Sequence, residues 1–173
     1  MRTRRLLPMA LSGLLIITAM GSIAFAGQIQ PTVNVNGTLN GVCRAGVSGS
    51  LSFSIDPALA GPLSATVTDA TVFCSNGTAF TVTAESTNKG GGPASCASGG
   101  GGITGTLKDA SNNPMDYTFT CGVDGTAGNT GTGKGHGAGK DVPLGLAGSI
   151  AAVSYQNAPV GNYSDTVTLT ITY

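Results

Sequence analysis

Tryptophan is absent, histidine occurs once, and aromatic residues make up 5% of the 173-residue chain. Few aromatics and no tryptophan argue against a site that stacks sugar rings, which needs broad flat side chains. The single histidine, His136, sits in a glycine-rich tract, so no serine has a firmly held imidazole partner for nucleophilic catalysis. The eight acidic residues are scattered, and no pair is marked as facing another across a cleft. Asp56 before Pro57 and Asp165 after Ser164 read as turn formers. Charged residues are 9% of the chain, where a soluble protein usually carries about a quarter. No Cys-x-x-Cys pair exists, which excludes the common zinc-site spacings. The expectation is a protein with no cofactor, no metal and no turnover.

What is present first concerns export. Arg2, Arg4 and Arg5 precede an apolar run from about Met9 to Ile23, and "AFA" at Ala24 to Ala26 has the small residues of a cleavage site. This predicts a secretory signal peptide over 1–26, with the mature chain starting at Gly27. The run is too short for a membrane span. Cleavage removes three of the eight basic residues, leaving five against eight acidic ones, a net charge near −3. No basic patch remains for nucleic acid. The 147 residues left are enough for one domain with a core. Cys43, Cys74, Cys96 and Cys121 all survive, and an even count in an exported chain reads as two disulfides, with three pairings open.

Along the mature chain, short alternating segments are separated by glycine, proline and asparagine. They are residues 32–39, 50–55, 63–74, 79–85, 103–109, 115–121, 150–155 and a terminal run from Asp165. "DASNNP" (Asp109 to Pro114) is a turn cluster that joins two of them into a hairpin. No segment keeps a helical period for three turns, and the pattern predicts an all-β sandwich. Two glycine-rich tracts, 88–102 and 122–140, read as mobile loops that do not pack. The second holds Gly128, Gly133 and Lys134 at nearly the spacing of a phosphate-binding loop. Gly135 stands where such a loop needs serine or threonine, and no helix follows. A bridge between Cys96 and Cys121 would limit the entropy of the first tract.

The two ends of the mature chain pose one problem. Val167, Leu169, Ile171 and Tyr173 alternate with threonines, the pattern of a half-buried strand, and no lysine or proline blunts its edge after Asp165. The leading segment alternates too, with Val33, Val35 and Leu39 in phase with Gly37 and amide side chains between. Both fit a sandwich that lacks one strand, filled by the leading segment of another copy. Such head-to-tail exchange does not close, so it builds a filament. Pro31 has no amide hydrogen, which places the start of the inserted part after it. Val33, Val35 and Leu39 would be the plugs, with Gly37 where the groove is shallow.

The sequence resembles the spore coat protein U domain family, which includes archaic chaperone–usher pilins. "GNYSDTVTLTITY" (Gly161 to Tyr173) is similar to the family's ending, and "GVC" at Gly41 to Cys43 to its first cysteine. "SLSFSIDP" (Ser50 to Pro57) resembles its Leu-x-Phe strand and Asp-Pro turn, and "VFCSNGTAFTVTAE" (Val72 to Glu85) its second cysteine and next strand. The resemblance implies an incomplete immunoglobulin-like β-sandwich completed by a donor strand from a neighbouring subunit. It implies a bridge between Cys43 and Cys74, which leaves Cys96 with Cys121. The implied partners are other copies or related pilins, a periplasmic chaperone and an outer-membrane usher. Export would then end in a cell-surface fibre for adhesion or biofilm formation. On this reading 27–40 is the donor extension and 41–173 the pilin domain. Val33, Val35, Gly37 and Leu39 form the donor strand, and Gly161, Tyr163, Val167, Leu169, Ile171 and Tyr173 belong to the strand that chaperone and donor grip. The alternative is a self-complemented secreted sandwich whose loops bind a glycan or another ligand.

Overall fold

The structure is a computed structural model that describes residues 33–173. The expected signal peptide, the cleavage point at Gly27 and Pro31 lie outside the described residues. The chain divides into two units, Met1–Gly37 and Thr38–Tyr173. The described part of the first unit, 33–37, carries no strand, and neither do residues 38–42 of the second. The strand expected over 32–39 is therefore absent from its described portion. An alternating segment forms a ladder only where a partner edge is supplied.

The second unit is an all-β sandwich. One sheet contains β1 (Cys43–Ser48), β2 (Leu63–Val67), β3 (Asp69–Cys74), β9 (Val142–Ile150), β7 (Pro114–Val123) and β6 (Ile103–Lys108). Its order is β1-β3-β9-β7-β6, with β2 also paired to β9. The other sheet has β4 (Ala79–Ser86) at its centre, with β10 (Val167–Thr172) on one edge. β5 (Ala94–Ser95) and β8 (Thr130–Thr132) pair with β4 as well. All these pairings are antiparallel.

Alternation positions the core. Phe80, Val82 and Ala84 of β4 are buried, as are Met115, Tyr117, Phe119 and Val123 of β7 and Leu144, Leu146 and Ile150 of β9. β2 and β3 form one run with an extra residue between them. Val67 faces Leu146, but Val72 faces Val142, so the register slips by one across Thr68. A bulge of this kind restores the inward face after the slip. Cys43 is bonded to Cys74, and Cys96 to Cys121.

Three sequence expectations need correction. Residues 50–55 form no strand, although Leu51 and Phe53 are half-buried; alternation reports which face is covered and not whether the backbone has a ladder partner. Residues 150–155 are not a strand either. Ile150 ends β9, and Ala152–Tyr155 is a helical turn whose buried Tyr155 hydroxyl donates to the carbonyls of Leu59 (3.0 Å) and Gly61 (2.6 Å). The glycine-rich tract 122–140 packs in part, over 128–133, while 134–140 is largely exposed. β8 lies within it, Val82 N–H donates to Asn129 O, and Gly77 N–H and Thr78 O both bond Gly133. Glycine is what allows this approach: a Cβ on Gly131 would sit 2.5 Å from the Phe80 ring and 2.6 Å from Val123. The tract 88–102 likewise contains β5, a short 3-10 turn at Ser98–Gly100 and the buried Cys96.

Candidate functional site: an apolar groove along the last strand

Among the described residues, β10 pairs with β4 on one side only, over Val167↔Ser86 to Thr172↔Thr81. Among the same residues, β1 pairs only with β3. Between these two single-sided strands lies a cavity of about 470 Å³. Its floor is Val67, Leu107, Tyr117, Phe119 and Leu146. Ala45 and Val47 of β1, with Leu51 and Phe53, form one wall, and Val167 and Leu169 form the other. Phe53 reaches far enough across that a Cβ on Gly148 would sit 2.8 Å from its ring. The segment misread as a strand is thus a wall of the groove.

One end of the cavity is polar. Asp165 Oδ2 accepts hydrogen bonds from Ser86 Oγ (2.6 Å) and Tyr117 OH (2.7 Å). Oδ1 accepts from the backbone N–H of Asn88 (3.0 Å) and of Thr166 (2.8 Å). Four donors on one carboxylate fill its acceptor positions. Ser86 Oγ also accepts from Lys89 N–H (3.1 Å), so the knot joins β4, β7 and Asp165, two residues ahead of β10. Burial first, then the Asp165 carboxylate, pushes the Tyr117 phenol well above its ordinary range. Asp165 is therefore more than a turn former: it ties the last strand to both sheets. The sequence offered only its place ahead of the terminal alternation. Nothing there marked Ser86 or Tyr117 as its partners.

The expected site residues fall into separate places. Val167 and Leu169 line the cavity, and Ile171 packs, half-buried, against the core. Tyr173 is exposed and borders a different recess, beside Phe80 and Thr132. Gly161 and Tyr163 are not cavity residues. Gly161 lies beside Asp109, while Tyr163 OH donates to Pro159 O (2.8 Å). Burial, with Asp109 nearby, raises the Tyr163 phenol, and the Asn113 amide holds the Asp109 carboxyl below its usual value. Val33, Val35 and Leu39 are exposed, at 84%, 89% and 88%, and Gly37 has no neighbouring atom within 4 Å of an added Cβ. His136 stacks edge-on against Phe73, with ring centroids 5.7 Å apart.

Among the described residues, no group of three or more His, Cys, Asp or Glu is placed to hold a metal ion. No helix among them is long and apolar enough to cross a membrane. The groove offers an apolar trough beside a row of unpaired strand edge, which suits an extended peptide better than a small polar substrate. Among curated proteins, no match to the chain was found. The family profile of the Spore Coat Protein U domain matches residues 29–170, spanning the leading segment and nearly all of the sandwich. The chain belongs to the Spore Coat Protein U domain family.

Proposed function

We propose that this protein is a structural subunit that polymerises by donor-strand exchange into a surface fibre used for adhesion or biofilm formation. The family is a structural, pilin-type domain and not an enzyme family. The observation that carries the reading is the cavity of about 470 Å³ beneath the unpaired edge of β10. Three apolar side chains, Val33, Val35 and Leu39, are exposed in the same chain with no strand of their own. Burying them in a neighbour's groove is worth roughly 5–9 kcal/mol at about 1.5–3 kcal/mol each. Backbone hydrogen bonds to the open edge add about 0.5–1.5 kcal/mol apiece. The sum suits a durable joint.

A periplasmic chaperone would cover the groove of each new subunit, and an outer-membrane usher would exchange that cover for the next subunit's leading strand. The exposed apolar edge gives the reason for both partners, since an open edge of this kind invites uncontrolled pairing. Purified subunits are expected to form a ladder of oligomers that survives mild heating in detergent. A protein that stays monomeric under every assembly condition would contradict the reading.

A further inference from the structure

We infer that the joint between neighbouring subunits is too short to act as a hinge, so that one end of each sandwich abuts the groove end of the next. The inference rests on the donor-strand reading above. Val42 is fixed to its own sandwich: its N–H donates to Ser75 Oγ (3.2 Å) and its carbonyl accepts from Ser75 N–H (2.9 Å). Cys43 is then bonded to Cys74. Gly41 already presses on Thr78, where a Cβ would meet Oγ1 at 3.0 Å. The last plug is Leu39, so only Asn40 and Gly41 separate the inserted strand from the body that supplies it. Three steps from Leu39 to Val42, at about 3.3–3.6 Å each, reach roughly 10–11 Å at most.

The direction of the inserted strand decides which surfaces meet. The donor segment 33–39 and the groove strand 167–173 are alternating runs of equal length. Antiparallel pairing sets Leu39 opposite Val167, Gly37 opposite Leu169, Val35 opposite Ile171 and Val33 opposite Tyr173. The largest plug then stands over the cavity that Val167 and Leu169 border. Asn40 and Gly41 fall beside Thr166 and Asp165, whose carboxylate is already saturated and offers no apolar cover. Parallel pairing would send Leu39 to the exposed Tyr173 end and leave the smaller Val33 at the cavity. Antiparallel pairs are also slightly the more stable. The Asn76–Gly77 turn, next to Ser75, is therefore brought against the Thr87–Gly90 turn of the following copy, which Asn88 holds to Asp165.

Two chains, each with one added cysteine beside the two native disulfides, test this when assembled together, one carrying Asn76→Cys and the other Lys89→Cys, both at exposed positions. A short bismaleimide is expected to link them in oligomers and not in chaperone-bound subunits. Linkage of Asn76→Cys to a Thr132→Cys chain instead, near the Tyr173 end, would overturn the stated contact. A second measurement uses Gly-Ser-Gly-Ser inserted between Asn40 and Gly41. The oligomer ladder should persist while the fibre's persistence length in electron micrographs falls severalfold. Unchanged stiffness would overturn the inference while leaving donor exchange intact. Absence of any ladder from the parent chain would reject donor exchange and the inference together.

Discussion

Tyr117 and Asp165 are 48 residues apart and share a 2.7 Å hydrogen bond at the polar end of the groove. The bond links a central strand of one sheet to the residue that leads into the edge strand of the other. It fixes the groove's floor to the wall that Val167 and Leu169 form. A phenol donating to a saturated carboxylate gains in strength from being buried, since little water competes for either group.

Tyr117→Phe should cost about 1.5–3 kcal/mol, the usual value for a hydrogen bond to a charged group. The pH dependence has a definite sign. The folded-state pKa of Tyr117 is raised above the ordinary 10.0, so the folded protein binds this proton more tightly than the unfolded chain does. Its contribution is fully present below the unfolded value and is lost as pH rises from about 10 towards the folded value. Urea melts of the parent and Tyr117→Phe should therefore differ by a constant amount below pH 9 and converge above 10. A gap that widens at high pH would contradict this account of the pair.

Asp165→Asn keeps the shape but gives one amide nitrogen to a site where every neighbour donates. One carboxylate oxygen is lost as an acceptor, and two donors are set against each other. The expected loss is roughly 2–4 kcal/mol in a denaturant melt, within the range for unsatisfied buried groups and lost charge-assisted bonds. A change below half a kcal/mol would show that the knot does not hold the strand.

Replacing Gly128 to Gly139 with a short linker removes β8, the Asn129 contact and the cover over Phe80 and Val123. A destabilisation of about 2–4 kcal/mol is expected from lost burial and unpaired edge groups. Thermal melting checks it. An unchanged midpoint would restore the sequence's picture of a loop that does not pack.

The two disulfides close loops with sequence separations of 31 and 25. In the chain-entropy model each is worth roughly 3–4 kcal/mol. Reduction should lower the denaturation midpoint in two separable steps, because Cys96 and Cys121 are fully buried while Cys43 is only half-buried. Peptide mapping of the unreduced protein checks the pairing, and a 43–96 or 43–121 linkage would contradict it.

The strands most legible in the sequence were those with β-branched or aromatic residues on a strict period, such as Phe80–Val82–Ala84 and Tyr117–Phe119–Cys121. β9 was missed because Gly145 and Gly148 interrupt its apolar pattern, although Leu144, Leu146 and Ile150 keep the period. β8 was missed for a related reason, since Gly131 carries no side chain to report its burial. Alternation alone marked Val167, Leu169, Ile171 and Tyr173 as one face of a strand, and only Val167 and Leu169 of these line the cavity. The cavity's opposite wall could not be read, because only the tertiary fold brings Ala45, Val47 and Phe53 to the same cavity as Leu169. The Asp165 knot joins residues 77 to 79 positions apart and 48 apart, a separation that no local pattern reports.

The central claim is that the leading segment acts on another copy. Leu39→Asp places a carboxylate over the apolar cavity that Val167 and Leu169 of the partner copy border, at a cost of several kcal/mol for an unpaired charge. The measurement is chaperone-bound subunit in the periplasm, scored beside surface fibres from the same cells. The account predicts folded, chaperone-bound subunit at the parent level with fibres lost. Folded subunit with normal fibres, or no folded subunit at all, would contradict it.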